Sequence, residues 1–343
     1  MLVWLMVAVV FLLSIIFTWS NGVQHSSAVA AAGIGSHCLD KKRAILLIFV
    51  CEFLGTVFGG SAVADVVRSL SSWPIEPSLL PLLSSALLAA ICWNALSRRF
   101  KIPSSSTHAL LGGMIGALFA GDWSFQHVQM GEFDPVHPKG AIGAMVSLVA
   151  SPLLGFALAY ILFCIVLIAC LRVSTKVEPA FKHGQWICTA ALAFGDGQND
   201  TQKTMGLLVL ALNAAGLSEN NVIPLWVRLL IGFVMGLGAF WLNRGVVKEL
   251  AYKVYDLKPM HACVAELSAA SILVANSAVG GPVSASQVVA SSIMGTGAAE
   301  RHRGIHWLVI KDILISWITT IPGSALMALL FHAMLFQWIQ KII

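Results

Sequence analysis

Long apolar runs alternate with short polar connections along the whole chain, at about 1–20, 43–64, 79–97, 140–171, 185–214, 223–243, 259–279 and 307–337. Runs of this length predict helices that cross a bilayer, because a helix rising about 1.5 Å per residue covers about 30 Å of hydrocarbon in roughly twenty residues. The first run carries no charged side chain, no basic start and no small-residue cleavage site, and it is read as a retained helix rather than a signal peptide. Two stretches depart from the pattern. Residues 103–120 and 283–298 are only weakly apolar, rich in Ser and Gly, and each follows a full apolar helix. Unpaired backbone groups cost on the order of several kcal/mol each in lipid, so these stretches are expected to be re-entrant hairpins, buried within protein or lining a cavity.

The most polar connection, 172–184, falls near the middle of the chain. It divides a first transmembrane repeat, 1–171, from a second, 185–343, with 172–184 as the connecting loop. The halves align in weak but ordered matches. Residues 17–26 match 192–201 at an offset of 175, and Pro103-Ser104-Ser105-Ser106-Thr107-His108 matches Pro282-Val283-Ser284-Ala285-Ser286-Gln287 at an offset of 179, after which Gly116 meets Gly295. Paired interrupted segments at corresponding positions of two halves mark a transporter site at the repeat interface. The expected fold is an all-α integral membrane protein of two inverted-topology repeats, each with a broken helix and a re-entrant helical hairpin.

Composition agrees with the pattern. Of 343 residues 58% are hydrophobic and only 11% charged, against about a quarter charged in soluble domains, and the mean hydropathy is +0.84. The net charge of +5 comes from clusters such as Lys41-Lys42-Arg43, Arg98-Arg99-Phe100-Lys101 and Arg301-His302-Arg303 between the apolar runs. They read as anchors at the membrane edge, not as a nucleic-acid surface. Seven cysteines occur without CxxC or Cys/His spacing, which gives neither a disulfide framework nor a zinc site.

Candidate chemistry sits where polar residues interrupt apolar ones. Gly195-Asp196-Gly197-Gln198-Asn199-Asp200-Thr201-Gln202-Lys203-Thr204 places two carboxylates and a lysine in an apolar stretch, where ionisable groups are functional by default. Its glycines permit a helix break, after which freed carbonyls, Asn199 and Asp200 would offer the oxygen ligands that a hard cation such as Na⁺ prefers. Pro103 and Pro282 fit the starts of half-helices. The Ser104, Ser105, Ser106, Thr107, Ser284 and Ser286 that follow would set hydroxyls beside unpaired backbone N–H groups, a cradle for an oxyanion. Glu52 and Glu266 are isolated carboxylates inside apolar runs and are candidates for cation coupling. No HExxH, P-loop or carboxylate cluster supports a membrane enzyme, and no cofactor is implied beyond a possible bound Na⁺.

The run Ala193 to Gly206, with Ser104-Ser105-Ser106-Thr107-His108, Ala265-Glu266-Leu267-Ser268 and Gly281-Pro282-Val283-Ser284, resembles the inorganic phosphate transporter (PiT) family over nearly the whole chain. The resemblance implies a central phosphate site, symport with Na⁺ or H⁺ by alternating access, a homodimer, and residence in the lipid bilayer of the cell membrane. It assigns cation or anion roles to Asn199, Asp200 and Gln202 and anion binding to the hairpin serines and Thr107. The departures are local. The family pattern Gly-x-Asn-Asp reads Gly22-Val23-Gln24-His25, the second hairpin reads Ser284-Ala285-Ser286-Gln287 for Ser-Thr-Thr-His, and the family's frequent His before the second Gly is Asp196. Gln24 and His25 therefore occupy a coupling position with one carboxylate fewer. Proton coupling through His25, binding of a dianion, and a shift to sulfate or another oxyanion all remain open, as does an anion sensor that binds without transport.

Overall fold

The computed structural model describes residues 1–100, 104–132, 134, 139–170, 178–218, 220–301 and 307–342. The first half runs through α1 (Leu2–Gly35), a bent pair α2 (Lys41–Phe58) and α3 (Ala62–Arg68), a hairpin α4 (Leu79–Phe100) and α5 (Ser106–Asp122), and α6 (Gly140–Cys170). The second follows the same order. It comprises α7 (Glu178–Ala214), the bent pair α8 (Leu225–Gly238) and α9 (Arg244–Lys248), the hairpin α10 (Pro259–Val279) and α11 (Ala285–Arg301), and α12 (Trp307–Phe331), which continues through a π-helical turn into α13 (Gln337–Ile342). Among the described residues, five helices are individually long and apolar enough to cross a bilayer, and the bent pairs, kinked by 69° and 66°, bring the number to seven. The expected all-α, multi-pass membrane architecture is what the chain adopts, and both weakly apolar stretches are the second helices of hairpins, buried along most of their length.

Boundaries differ from expectation where helices leave lipid for protein. The first helix does not end near residue 20 but continues to Gly35, and almost every residue from Asn21 to Gly35 is buried. Hydropathy falls there because small and polar residues pack against other helices, not because the helix stops. Residues 178–184, expected in the connecting loop, already form the start of α7; residues 172–177 of that loop lie outside the described residues, as does Pro103.

The position of the helix breaks is a correction. The Gly195–Thr204 stretch was expected to interrupt its helix, yet α7 is continuous through it. The broken helices are the bent pairs, one at Gly59-Gly60-Ser61, where Gly60 adopts φ +85°, and one between Trp241 and Arg244. The glycines of the motif serve close approach instead. A Cβ on Gly197 would run into the Glu52 carbonyl, and one on Gly22, its counterpart in the first half, into the carbonyl of Met235. Small residues let helix backbones pack in this way where a larger side chain would hold them apart. The Gly197 carbonyl is correspondingly not freed, since it accepts the Thr201 hydroxyl at 2.6 Å.

The same logic sets the packing of whole elements. α2 lies on α7 and α8 on α1, while α5 lies on α12 and α11 on α6. Each half therefore lends its bent pair and its closing helix to the other. Among the described residues two large apolar cores result, one around α4, α5 and the start of α1, the other around α10, α11 and the end of α1, and a smaller one joins Ala64 to Met205 and Leu208 of α7 and to Val227 and Ile231 of α8.

Candidate functional site

The segments before α5 and α11 are the hairpin tips, and they come together against the interior of α1 and α7. Thr107 Oγ1 of the first tip donates to the Val283 carbonyl of the second at 3.0 Å, and Gln287 Nε2 lies 3.4 Å from His108 Nδ1. Each motif helix grips the tip of its own half. Gln24 Nε2 donates to the Ser104 carbonyl at 2.7 Å, while Asn199 donates to the Gly281 carbonyl at 3.0 Å and accepts from Val283 N at 3.0 Å. Gln24 and Asn199 are equivalent at the offset of 175, so a side-chain amide at the same position holds the tip backbone in both repeats.

Between the grips lies a chain of buried charges. His25 Nδ1 is 3.2 Å from Asp196 Oδ1 and its Nε2 is 2.8 Å from Ser106 Oγ, with His25 and Asp196 both inaccessible to solvent. When Asp196 is ionised it can only accept, and Nδ1 then carries the hydrogen toward it. Nε2 then accepts from Ser106 in the neutral ring or donates to it in the imidazolium. Asp200 Oδ2 accepts from Asn21 Nδ2 at 3.0 Å, and Asp200 Oδ1 accepts from Lys203 Nζ at 2.6 Å. Lys203 also donates to Thr107 Oγ1 at 2.6 Å and to the Val283 carbonyl at 2.8 Å. Its ammonium therefore joins α7 to both tips. Glu52 Oε1 accepts the Ser26 hydroxyl at 2.8 Å, and one oxygen each of Glu52 (Oε2) and Asp196 (Oδ2) is buried without a hydrogen-bond partner.

Most of the residues singled out from sequence converge here. Ser105 caps α5, its hydroxyl accepting from His108 N at 3.3 Å, and Ser284 and Ser286 lie together at the start of α11, 3.3 Å apart. Two residues lie elsewhere. Gln202 accepts from Val63 N at 2.8 Å and donates to the Gly59 carbonyl at 2.9 Å, so it satisfies the backbone opened at the α2–α3 break rather than facing the tips. Glu266 is buried against Thr189, whose hydroxyl it accepts at 2.6 Å, about two turns of α7 before Asp196. Asn199 bonds the second hairpin throughout, donating to Ser277 Oγ at 2.9 Å as well as to the Gly281 carbonyl and accepting from Val283 N. Sequence reasoning counted Lys203 among the costly ionisable groups of the motif without giving it a role, and it missed Asn21. A lysine one turn after Asp200 in an apolar stretch was the available signal. Beside Lys203 and Thr107, a cavity of about 20 Å³ lined also by Pro282, Val66 and Leu110 is the size of a single water, so the tips are closed on one another.

Interlocked halves, paired hairpin tips and buried charge on two matching helices are a carrier's arrangement. The model of the phosphate transporter family matches residues 21–328, which takes in both motif helices and both hairpins. The chain belongs to that family. Relatives include a probable low-affinity inorganic phosphate transporter of Bacillus subtilis, 33% identical with 90% of this chain and 91% of the relative covered. Another, with the same description, is from Rhizobium meliloti, 30% identical with 93% of each covered. Among solved structures, one titled as the sodium-dependent phosphate transporter superposes with a TM-score of 0.85 at 21% identity, over 98% of this chain and 99% of that one. The resemblance read from the motifs is thus confirmed, and with it a transporter rather than an enzyme. Within the phosphate transporter family pattern, the two departures at positions 25 and 196 are in contact with each other. Where the pattern has a carboxylate this chain has His25, where it often has an imidazole this chain has Asp196, and the two side chains meet at 3.2 Å.

Proposed function

We propose that the protein is a cation-coupled inorganic phosphate symporter of the cell membrane that works by alternating access. The observation that carries this reading is the meeting of the two hairpin tips, each gripped by the amide of its own motif helix, around buried Lys203 and His25. Two helix N-termini with Ser104, Ser105, Ser106, Thr107, Ser284 and Ser286 offer hydroxyls and free N–H groups, which bind an oxyanion when the tips part. The coupling Na⁺ or H⁺ is carried by the buried carboxylates, among which Glu52 and Asp196 each retain an unpartnered oxygen and flank the contact of Gly197 with the Glu52 backbone. A cation there lowers the cost of bringing an anion into a low-dielectric cavity, which is the physical basis of coupling.

The test is uptake of labelled phosphate and sulfate into proteoliposomes, with Na⁺ and H⁺ gradients imposed separately. Phosphate accumulation driven by one gradient is expected. Accumulation of sulfate alone would reassign the cargo, and binding without accumulation would make the protein a sensor. The homodimer belongs to the same proposal and is read from the mass of the purified detergent complex.

A further inference from the structure

Lys203 is 1% exposed, and three oxygens take up its three ammonium hydrogens. They are a carboxylate oxygen of Asp200 at 2.6 Å, the Thr107 hydroxyl at 2.6 Å and the Val283 carbonyl at 2.8 Å, one from α7 and one from each hairpin tip. A carboxylate, a hydroxyl and a main-chain carbonyl are the oxygen set that carriers use for a hard monovalent cation near a helix interruption. The second carboxylate oxygen of Asp200 is already taken by Asn21 Nδ2 at 3.0 Å. Asp200 therefore has its charge balanced and both oxygens engaged without any ion from solution.

We propose that Lys203 is a tethered cation that fills the place of a Na⁺ at the junction of α7 with the two hairpin tips, so that this position carries no transported Na⁺ and becomes a Na⁺ site when the ammonium is removed. The inference rests on reading this junction as the cargo site, and it names the residue that sets which cations the site can take. An ammonium and Na⁺ carry the same charge and choose the same oxygens, but the ammonium is bound to α7 through its side chain and cannot leave with the anion. Truncating the side chain leaves the Asp200 carboxylate, the Thr107 hydroxyl and the Val283 carbonyl facing the space the ammonium held, next to an otherwise apolar cavity of about 20 Å³, about the size of one water.

The experiment is Na⁺-dependent thermal stabilisation of purified wild type, Lys203→Ala, and Lys203→Ala with Asp200→Asn, against choline at equal ionic strength. A ligand that binds only the folded state raises its midpoint. Lys203→Ala is expected to rise in Na⁺ over choline by about 2 °C or more beyond any rise that wild type shows through its coupling carboxylates, and the double variant to lose that extra gain. In proteoliposomes, Lys203→Ala should lose at least about tenfold of its phosphate uptake in choline and recover it with Na⁺. A folded, monodisperse Lys203→Ala without a Na⁺ response overturns the proposal. So does slowing of tip-peptide exchange, 104–108 and 280–286, by Na⁺ in a protein that keeps Lys203 if Asp200→Asn alone abolishes it, because Asp200 would then hold Na⁺ with the ammonium in place. Failure of the transport reading is separate. It shows as no uptake of either oxyanion by wild type under either gradient, whereas a Na⁺ response of the variant is read without transport.

Discussion

Exchanging His25 and Asp196 isolates the interaction that most distinguishes this chain. The ring nitrogen and the carboxylate oxygen are 3.2 Å apart, with neither side chain accessible to solvent, and Asp200 lies 4.0 Å from the other ring nitrogen. His25→Asp alone sets a second carboxylate at that contact, and two like charges 3.2 Å apart repel by about 5 kcal/mol at an effective dielectric of about 20. Rearrangement or protonation relieves part of this, so a loss of roughly 2–3 kcal/mol in transport is expected, or on the order of thirtyfold to a hundredfold in initial rate. Asp196→His alone removes the acceptor of the His25 Nδ1 hydrogen and leaves two imidazoles together beside Asp200, with a similar loss. The double exchange rebuilds one imidazole and one carboxylate in contact. Its uptake is expected within about fivefold of wild type, a coupling of about 3 kcal/mol or more in a double-mutant cycle. Initial rates in proteoliposomes, normalised to folded protein, provide the four values. A double variant as poor as the product of the two singles would refute the pairing.

Other expectations follow from single contacts. Asn199→Leu leaves Val283 N and the Gly281 carbonyl without their side-chain partner. It should cost about 1–3 kcal/mol, seen as a lower melting midpoint and slower uptake, and Gln24→Leu, which loses one bond to Ser104, should cost less. Gly197→Ala forces a Cβ against the Glu52 carbonyl and should destabilise by roughly 1–3 kcal/mol. Gly184→Ala, on the same helix, meets only the Cys263 sulfur at 3.6 Å and should be neutral or stabilising by about 0.5–1 kcal/mol, since alanine favours a helix over glycine. Equal melting midpoints for the two glycine variants would count against the close-packing account.

What the sequence made legible was set by which physical signals are local. The hairpins were readable because a Ser- and Gly-rich helix cannot face lipid, and α5 and α11 are buried as that argument requires. The site was readable because charge at membrane depth is costly, and Asp200, His25 and Ser106 of the first tip do meet. The break at Gly195–Thr204 was misplaced because glycine serves both helix interruption and backbone approach, and only the neighbour decides between them. Gly197 has the Glu52 carbonyl against it, whereas Gly60 has open space and a positive φ. Lys203 escaped assignment because its three acceptors come from residues 107, 200 and 283. Two of them are far away in sequence, and no spacing rule connects them.

The repeat boundary in sequence is not the boundary between the packed bodies, and this bears on how the site opens. One body combines α1 and the α4–α5 hairpin with α8, α9 and α12; the other combines α7 and the α10–α11 hairpin with α2, α3 and α6. Each motif helix bonds the tip in its own body, through Gln24 to Ser104 and Asn199 to Gly281. Bonds between the bodies at the site include Asn21 to Asp200, His25 to Asp196, Ser26 to Glu52, Thr107 to Val283, Lys203 to Thr107 and Gln287 to His108. A rocking motion that parts the tips breaks these and spares the grips. At about 0.5–1.5 kcal/mol net each, and up to about 3 for those to charged groups, the seam amounts to several kcal/mol, within reach of a bound anion and cation. A reversible bridge across the seam should therefore stop transport, while one inside a body should not. His108→Cys with Gln287→Cys, whose native side chains approach to 3.4 Å from opposite tips, can be spanned by a short bifunctional thiol reagent. Native Cys188 on α7 and Cys263 on α10, with sulfurs 3.1 Å apart inside one body, supply the comparison when oxidised to a disulfide by diamide. Bridging the tips is expected to cut phosphate uptake at least about tenfold, about 1.4 kcal/mol or more, with recovery on reduction, while the native disulfide should leave it within about twofold. Transport that survives a verified tip bridge, or stops with the Cys188–Cys263 disulfide, would show that the moving boundary runs elsewhere.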